Sequence, residues 1–229
     1  MVLSRHEELA ANLADVRARI DAAAVKAGRA ASEIALIAVT KTWPLSDIRM
    51  LCDLGLRDFG ESRDQEARAK VQEWQEVDGR EVRWHFIGQL QTNKAKSVAR
   101  YASMVHTVDR VSLADALRKA GEPLDCLVQL SIDEDPTRGG VSRSDLLSLA
   151  AAIAEPLRLR GVMAIAPLDM EPARAFAVVD VLHRSVLAEF PAATVRCIGM
   201  SDDFEAAIEA GATHVRIGSA LLGKRPAAH

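Results

Sequence analysis

Ile34-Ala-Leu-Ile-Ala-Val-Thr-Lys41 is an apolar run that ends on a lysine, and Trp43-Pro44 opens a helical pattern just beyond it. A strand that is apolar at nearly every position is buried on both faces, as in a parallel sheet covered by helices. The same alternation repeats along the chain. Strand-type runs fall near 34–40, 56–60, 82–87, 103–107, 124–130, 157–163, 194–198 and 213–217. Helical patterns fall between them, near 45–54, 63–75, 91–100, 110–120, 142–154, 171–189 and 202–210, with a short last helix from Ser219. Ser4-Arg-His-Glu7 is a capping box, and Leu9, Leu13, Val16 and Ile20 follow at helical spacing up to Gly28. An additional helix is therefore expected over 4–28. Eight βα units in about 200 residues predict a single-domain α/β fold, one (β/α)8 TIM-type barrel over 1–229 with the N-terminal helix on its flank. An open doubly wound sheet uses the same alternation and is the competing architecture.

Composition narrows the function classes. The 229 residues are 49% hydrophobic with a net charge of −3, enough apolar material for a full core. Basic residues are scattered rather than massed, which argues against a nucleic-acid partner. No apolar run reaches membrane-spanning length, and the N-terminus does not read as a signal peptide. Cys52, Cys126 and Cys197 are far apart and odd in number, so neither a disulfide framework nor a metal site is expected; they read as reduced thiols of a cytoplasmic protein. Trp43, Trp74 and Trp84 form no stripe and read as core or groove fillers, and His183 reads as a surface or packing residue.

In such barrels chemistry gathers at the carboxyl ends of the strands. Lys41 closes strand one, and Phe59-Gly-Glu-Ser62 closes strand two. His85, His106, Met163, Gly199-Met-Ser-Asp-Asp203 and Arg216-Ile-Gly-Ser219 stand at later strand ends. A free lysine titrates near 10.4, so a neutral amine at pH 7 costs about 4.6 kcal/mol; partial burial and cationic neighbours lower that cost, and the neutral amine attacks aldehydes. The bland alternative is a snorkelling lysine whose stem covers the strand end. Ser201 reads as the N-cap of a helix from Asp202, and Gly218-Ser219 opens another short helix. Two helix starts after the last two strands suit a phosphate, although ordinary capping explains them too. Arg216 is either a structural ion-pair partner or a fixed cation against a ligand. A lysine, a phosphate cradle and an arginine on one rim point to an aldehyde-bearing phosphate cofactor, and pyridoxal phosphate has all three complementary features.

At this point the residues resemble a known family. Ala38-Val-Thr-Lys41, Phe59-Gly-Glu61, Trp84-His-Phe-Ile-Gly88 with Leu90-Gln91 and Asn93-Lys94, Leu159-Arg-Gly-Val-Met-Ala-Ile165, Gly199-Met-Ser-Asp-Asp203 and Val215-Arg-Ile-Gly218 are similar to segments of the pyridoxal phosphate homeostasis proteins. Those are barrels like the N-terminal domain of alanine racemase. The resemblance runs from the first helix to the C-terminus. It implies that Lys41 forms a Schiff base, that Ser201, Gly218 and Ser219 hold the phosphate, and that Arg216 faces the pyridine nitrogen. The set of candidate cofactor contacts is Lys41, Ser62, Met163, Met200, Ser201, Arg216, Gly218 and Ser219, with no catalytic residue and no metal ligand. Two positions depart from the family pattern. Ser62-Arg63 stands where the family has Asn-Tyr, and Ser62-Arg-Asp-Gln65 keeps a capping-box pattern. Arg138 stands for the family's lysine in the polar loop Asp133–Gly140.

Three functions compete. A carrier would hold pyridoxal phosphate and supply it to apo-enzymes that depend on it, acting as a monomer or weak dimer, with no nucleic acid or membrane partner. A racemase-like enzyme needs a base on each face of the substrate carbon, and the only tyrosine, Tyr101, precedes strand four and is expected at the opposite rim. His85 or His106 would have to replace it. A cofactor-free phosphosugar isomerase explains the phosphate site but leaves Lys41 without an aldehyde.

Overall fold

The computed structural model describes residues 3–135 and 139–224. Eight parallel strands close into a barrel in sequence order: β1 Ala35–Val39, β2 Asp58–Glu61, β3 Arg83–Phe86, β4 Met104–Val108, β5 Asp125–Gln129, β6 Arg158–Met163, β7 Val195–Cys197 and β8 His214–Ile217. The seam is a true closure, with Ala35 to Ala38 of β1 paired in register with His214 to Ile217 of β8. The open-sheet alternative is thereby excluded. The covering helices are α1 Arg5–Lys26, α2 Leu45–Asp53, α3 Asp64–Val77, α4 Ala95–Ala99, α5 Val111–Arg118, α6 Leu146–Ala154, α7 Pro172–Glu189, α8 Phe204–Glu209 and α9 Ser219–Leu222.

The N-terminal helix forms as its sequence dictates. Ser4 accepts from the Glu7 backbone while the Glu7 carboxylate accepts from Ser4 N, and Gly28 at φ 66° follows its end. Leu9, Leu13, Val16 and Ile20 are buried, each contributing about 1.5–3 kcal/mol of transfer free energy. The helix packs on α2, α8 and α9. Arg5 ties it to Asp47, and Arg19 to Glu205.

Helix starts are where local pattern misleads. The helix expected from 142 begins at Leu146, because Ser142 and Asp145 satisfy each other in a side-chain-stabilised turn. Ser62 does not cap α3: the N-cap is Arg63, with no side-chain cap bond. The chain after β3 passes directly over Ser62, so close that a Cβ on Gly88 would lie 2.0 Å from the Ser62 carbonyl oxygen. Arg138 lies outside the described residues.

The apolar core lies mainly between strands and helices, with a smaller cluster inside the barrel made by Ile37, Met104, Leu127, Met163, Val195 and Cys197. Beside that inner cluster runs a polar chain. His85 Nε2 bonds Asp58, and His85 Nδ1 bonds His106 Nε2, each at 2.9 Å. Asp58 also pairs with Arg83. Burial pushes the Asp58 carboxyl up, but the His85 and Arg83 donors outweigh it and hold the pKa at about 2. The ionised Asp58 carboxylate can only accept, so His85 donates to it through Nε2. His106 Nδ1, at the far end of this chain, is a buried atom with no partner among the described residues. His183 is also buried, bonding Ala193 O and Arg196, so it is a packing residue and not a surface one. All three cysteines are free and buried.

Candidate functional site

The strand run that opens the barrel ends in a tight turn. Thr40 N still pairs with Gly60 O, and Trp43 N donates to Thr40 O at 3.0 Å, which makes Lys41 and Thr42 the turn's central residues. Thr42 takes φ 69°. Left-handed backbone is normal for glycine at this position of a turn and costs a β-branched residue roughly 1–2 kcal/mol. The strain sits immediately beside Lys41, which is half-buried.

Lys41 lines a cleft of about 220 Å³ between the ends of β1, β7 and β8. Met200, Ser201, Arg216, Gly218 and Ser219 line the same cleft, so six of the eight candidate contacts share one wall. Met163 does not: it packs in the inner cluster and is 1% exposed. Ser62 follows the end of β2 and does not line the cleft. Val39, Trp43, Asp202 and Gly223 complete the lining. Val39 was findable as the inward residue two before Lys41, because side chains alternate along a strand.

Arg216 is 5% exposed and is held only by neutral groups. Its Nη1 donates to Cys197 O at 2.9 Å, and its Nη2 to Ala164 O at 3.1 Å. Among the described residues no carboxylate lies within ion-pair distance of it. Asp203, the nearby acid, spends an oxygen on Met200 N at 2.6 Å. A buried guanidinium without a counter-ion leaves positive charge at the cleft, where an anion or a ring lone pair is favoured.

Ser201 is not the N-cap expected of it. The helix begins at Phe204 with Asp203 at the cap, and Ser201 instead accepts from Gly218 N and Ala220 N, both at 3.3 Å. The chain reaches this position through Gly199 at φ 90°, where a Cβ would lie 2.6 Å from Ala207 Cβ. An oxygen that accepts two amides has its own proton available, so Ser201 can donate to an anion seated beside the same amides. Lysine amine, serine hydroxyl, loosely held amides and an unneutralised arginine suit a phosphate-bearing aldehyde.

The other sequence candidates stand elsewhere. His85 and His106 are sealed in the barrel interior, where burial first, then repulsion from His85 and Arg216, holds His106 well below the usual imidazole range. Tyr101 precedes β4 as expected, yet its hydroxyl reaches Asp64 at the start of α3, 3.4 Å away, in a groove between α3 and α4. It does not enter the Lys41 cleft. No helix among the described residues is long and apolar enough to cross a membrane.

Comparison with known proteins bears on the family and the fold. Residues 7–226 match the family described as alanine racemase, N-terminal domain. The pyridoxal phosphate homeostasis protein of Escherichia coli K12 is 43% identical over 227 residues, covering 95% of this chain and 97% of that one. A crystal structure of an unknown protein from Bifidobacterium adolescentis superposes with a TM-score of 0.86 at 27% identity, covering 96% of this chain and 97% of the other. PipY of Synechococcus elongatus, solved with pyridoxal phosphate bound, superposes with a TM-score of 0.78 at 29% identity, covering 94% of this chain and 100% of PipY. The chain belongs to the pyridoxal phosphate homeostasis protein family, built on the fold of the alanine racemase N-terminal domain.

Proposed function

We propose that this protein holds pyridoxal phosphate as a Schiff base on Lys41 and keeps it available to apo-enzymes in the cytoplasm, without turning over a substrate. The observation that carries the reading is the pairing of Lys41 with Arg216 in one cleft, the arginine buried and, among the described residues, without a carboxylate partner. In this reading Lys41 Nζ, once neutral, attacks the aldehyde carbon and water leaves. Ser201 and Ser219, with the amides of the 218–220 turn, hold the phosphate, and Met200 covers the cleft's outer edge. Bound pyridoxal phosphate supplies the carbonyl and, in enzymes, an electron sink. Arg216 against the ring nitrogen disfavours its protonation and weakens that sink.

A racemase-like activity has less support. Among the described residues, the only carboxylate in the cleft wall is Asp202, and it is exposed. The protein is read as acting alone or as a weak dimer, with the small cofactor as its ligand.

The test is absorbance of the purified protein with added pyridoxal phosphate, followed by borohydride reduction and peptide mass analysis. The expected result is an imine band that disappears on reduction, with cofactor mass on the peptide containing Lys41 and none in Lys41→Ala. Equal binding and an unchanged band in Lys41→Ala would refute the assignment. Amino-acid racemisation above the Lys41→Ala background would overturn the absence of turnover.

A further inference from the structure

Residue 41 is enclosed by a circuit of hydrogen bonds that starts on a different helix. Lys70, from α3, is 8% exposed, and its ammonium has three acceptors: Thr40 O at 2.8 Å, Glu61 Oε1 at 2.8 Å and Glu66 Oε1 at 2.7 Å. An ammonium has three N–H donors, so it is fully used. Glu66 Oε1 also accepts Thr42 N at 2.5 Å. The carbonyl before Lys41 and the amide after it are therefore tied to the same lysine–glutamate pair. Thr40 is gripped a second time, its hydroxyl donating to Glu61 at 2.7 Å.

An ion pair serving only the core would have no need of the backbone on both sides of one residue. This one is attached where the chain adopts left-handed backbone at a threonine, a conformation that persists only when its surroundings impose it. We propose that Lys70 and Glu66 are positioning residues that hold the strained turn so that Lys41 is presented to the cleft. The proposal deepens the Schiff-base reading and rests on it for its consequence, though the clamp itself can be measured without cofactor.

The experiment compares wild type with Lys70→Met, Glu66→Ala and Glu66→Gln. Amide hydrogen exchange at Thr42 and Trp43 is measured without cofactor, and borohydride trapping at Lys41 is measured against pyridoxal phosphate concentration. Lys70→Met and Glu66→Ala are expected to speed exchange at Thr42 at least tenfold, with β4 and β5 amides unchanged. They are also expected to raise the half-trapping concentration at least tenfold. Glu66→Gln keeps an acceptor for Thr42 N and should retain most of both. If Lys70→Met does not fold, Glu66→Ala carries the test, because Glu66 lies at the partly exposed rim. Lower melting temperatures with unchanged Thr42 exchange and unchanged trapping would overturn the proposal. Failure of wild type to trap at Lys41 would refute the Schiff-base reading, while the exchange arm still decides the clamp.

Discussion

Two arginines rise from barrel strands and are held in opposite ways. Arg83, from β3, meets the Asp58 carboxylate, which also takes a proton donor from His85. Charge is balanced inside the protein, because both partners of the Asp58 carboxylate come from the barrel itself. Arg216, from β8, meets among the described residues only the carbonyls of Cys197 and Ala164 and the Cys197 sulfur. Burial pushes the Cys197 thiol up despite the arginine beside it, so no thiolate neutralises the cation. Balanced polar groups hold a fold together; an unbalanced one at a cleft is completed by something that binds there.

The largest expected effect lies in the balanced array. Asp58→Ala leaves the His85 N–H buried without an acceptor and Arg83 without its partner. We expect a loss of about 2–3 kcal/mol in stability, discounted because Arg83 is largely exposed. Cofactor affinity should not change. Denaturant unfolding and cofactor titration on the same variant check both halves, and a loss of affinity without a loss of stability would erase the contrast. Arg216→Met is the mirror case. Removing an uncompensated cation while keeping its bulk should shift stability by no more than about 1 kcal/mol, since carbonyl bonds and buried charge are lost together. Cofactor affinity should fall about 10- to 100-fold, the range of one lost charge-assisted contact. A large drop in melting temperature with unchanged affinity would move Arg216 into the structural class with Arg83.

The same contrast explains what the linear chain revealed. The strands were legible to within about two residues because burial on both faces leaves a continuous apolar signature. Six cleft residues were legible because the carboxyl ends of barrel strands converge by topology. What was not legible is which acceptor a side chain uses. Ser201 carries every local sign of a helix cap, yet its oxygen is taken by amides 17 and 19 residues away. Met163 ends its strand as a rim residue should, but its side chain turns into the barrel. Lys70 looks like an ordinary helical lysine, and only folding brings it to Thr40, 30 positions earlier.

The pH dependence tests the buried histidines, above all His214 beside the balanced region. Burial, then repulsion from His85, lowers the His214 imidazole from 6.5 to about 4, with Asp58 countering in part. Burial also lowers His106 and His183. The unfolded chain therefore takes up protons near pH 6.5, while folded His214 waits until about 4. In that window the unfolded state binds more protons, so this stabilisation is complete above 6.5 and is lost as the pH falls. The melting temperature should decline across the window, and His214→Gln should make the decline shallower. A flat profile would mean that the inner chain is wetter than its burial implies.

The smallest effect belongs to the cleft and is the most sensitive test of the contrast. Ser201→Ala removes a hydroxyl whose two amide bonds are both long, at 3.3 Å. Bonds of that length add little to the fold, so stability should change by less than about 0.5 kcal/mol. The hydroxyl's donation to an anion has no substitute in alanine, and cofactor retention should weaken about fivefold, near 1 kcal/mol. Dissociation of the loaded cofactor, followed by loss of its absorbance in gel filtration, gives the first quantity, and chemical unfolding gives the second. If Ser201→Ala destabilised the fold as Asp58→Ala does and left retention unchanged, the 218–220 turn would be a closing latch for the barrel seam and not an anion seat.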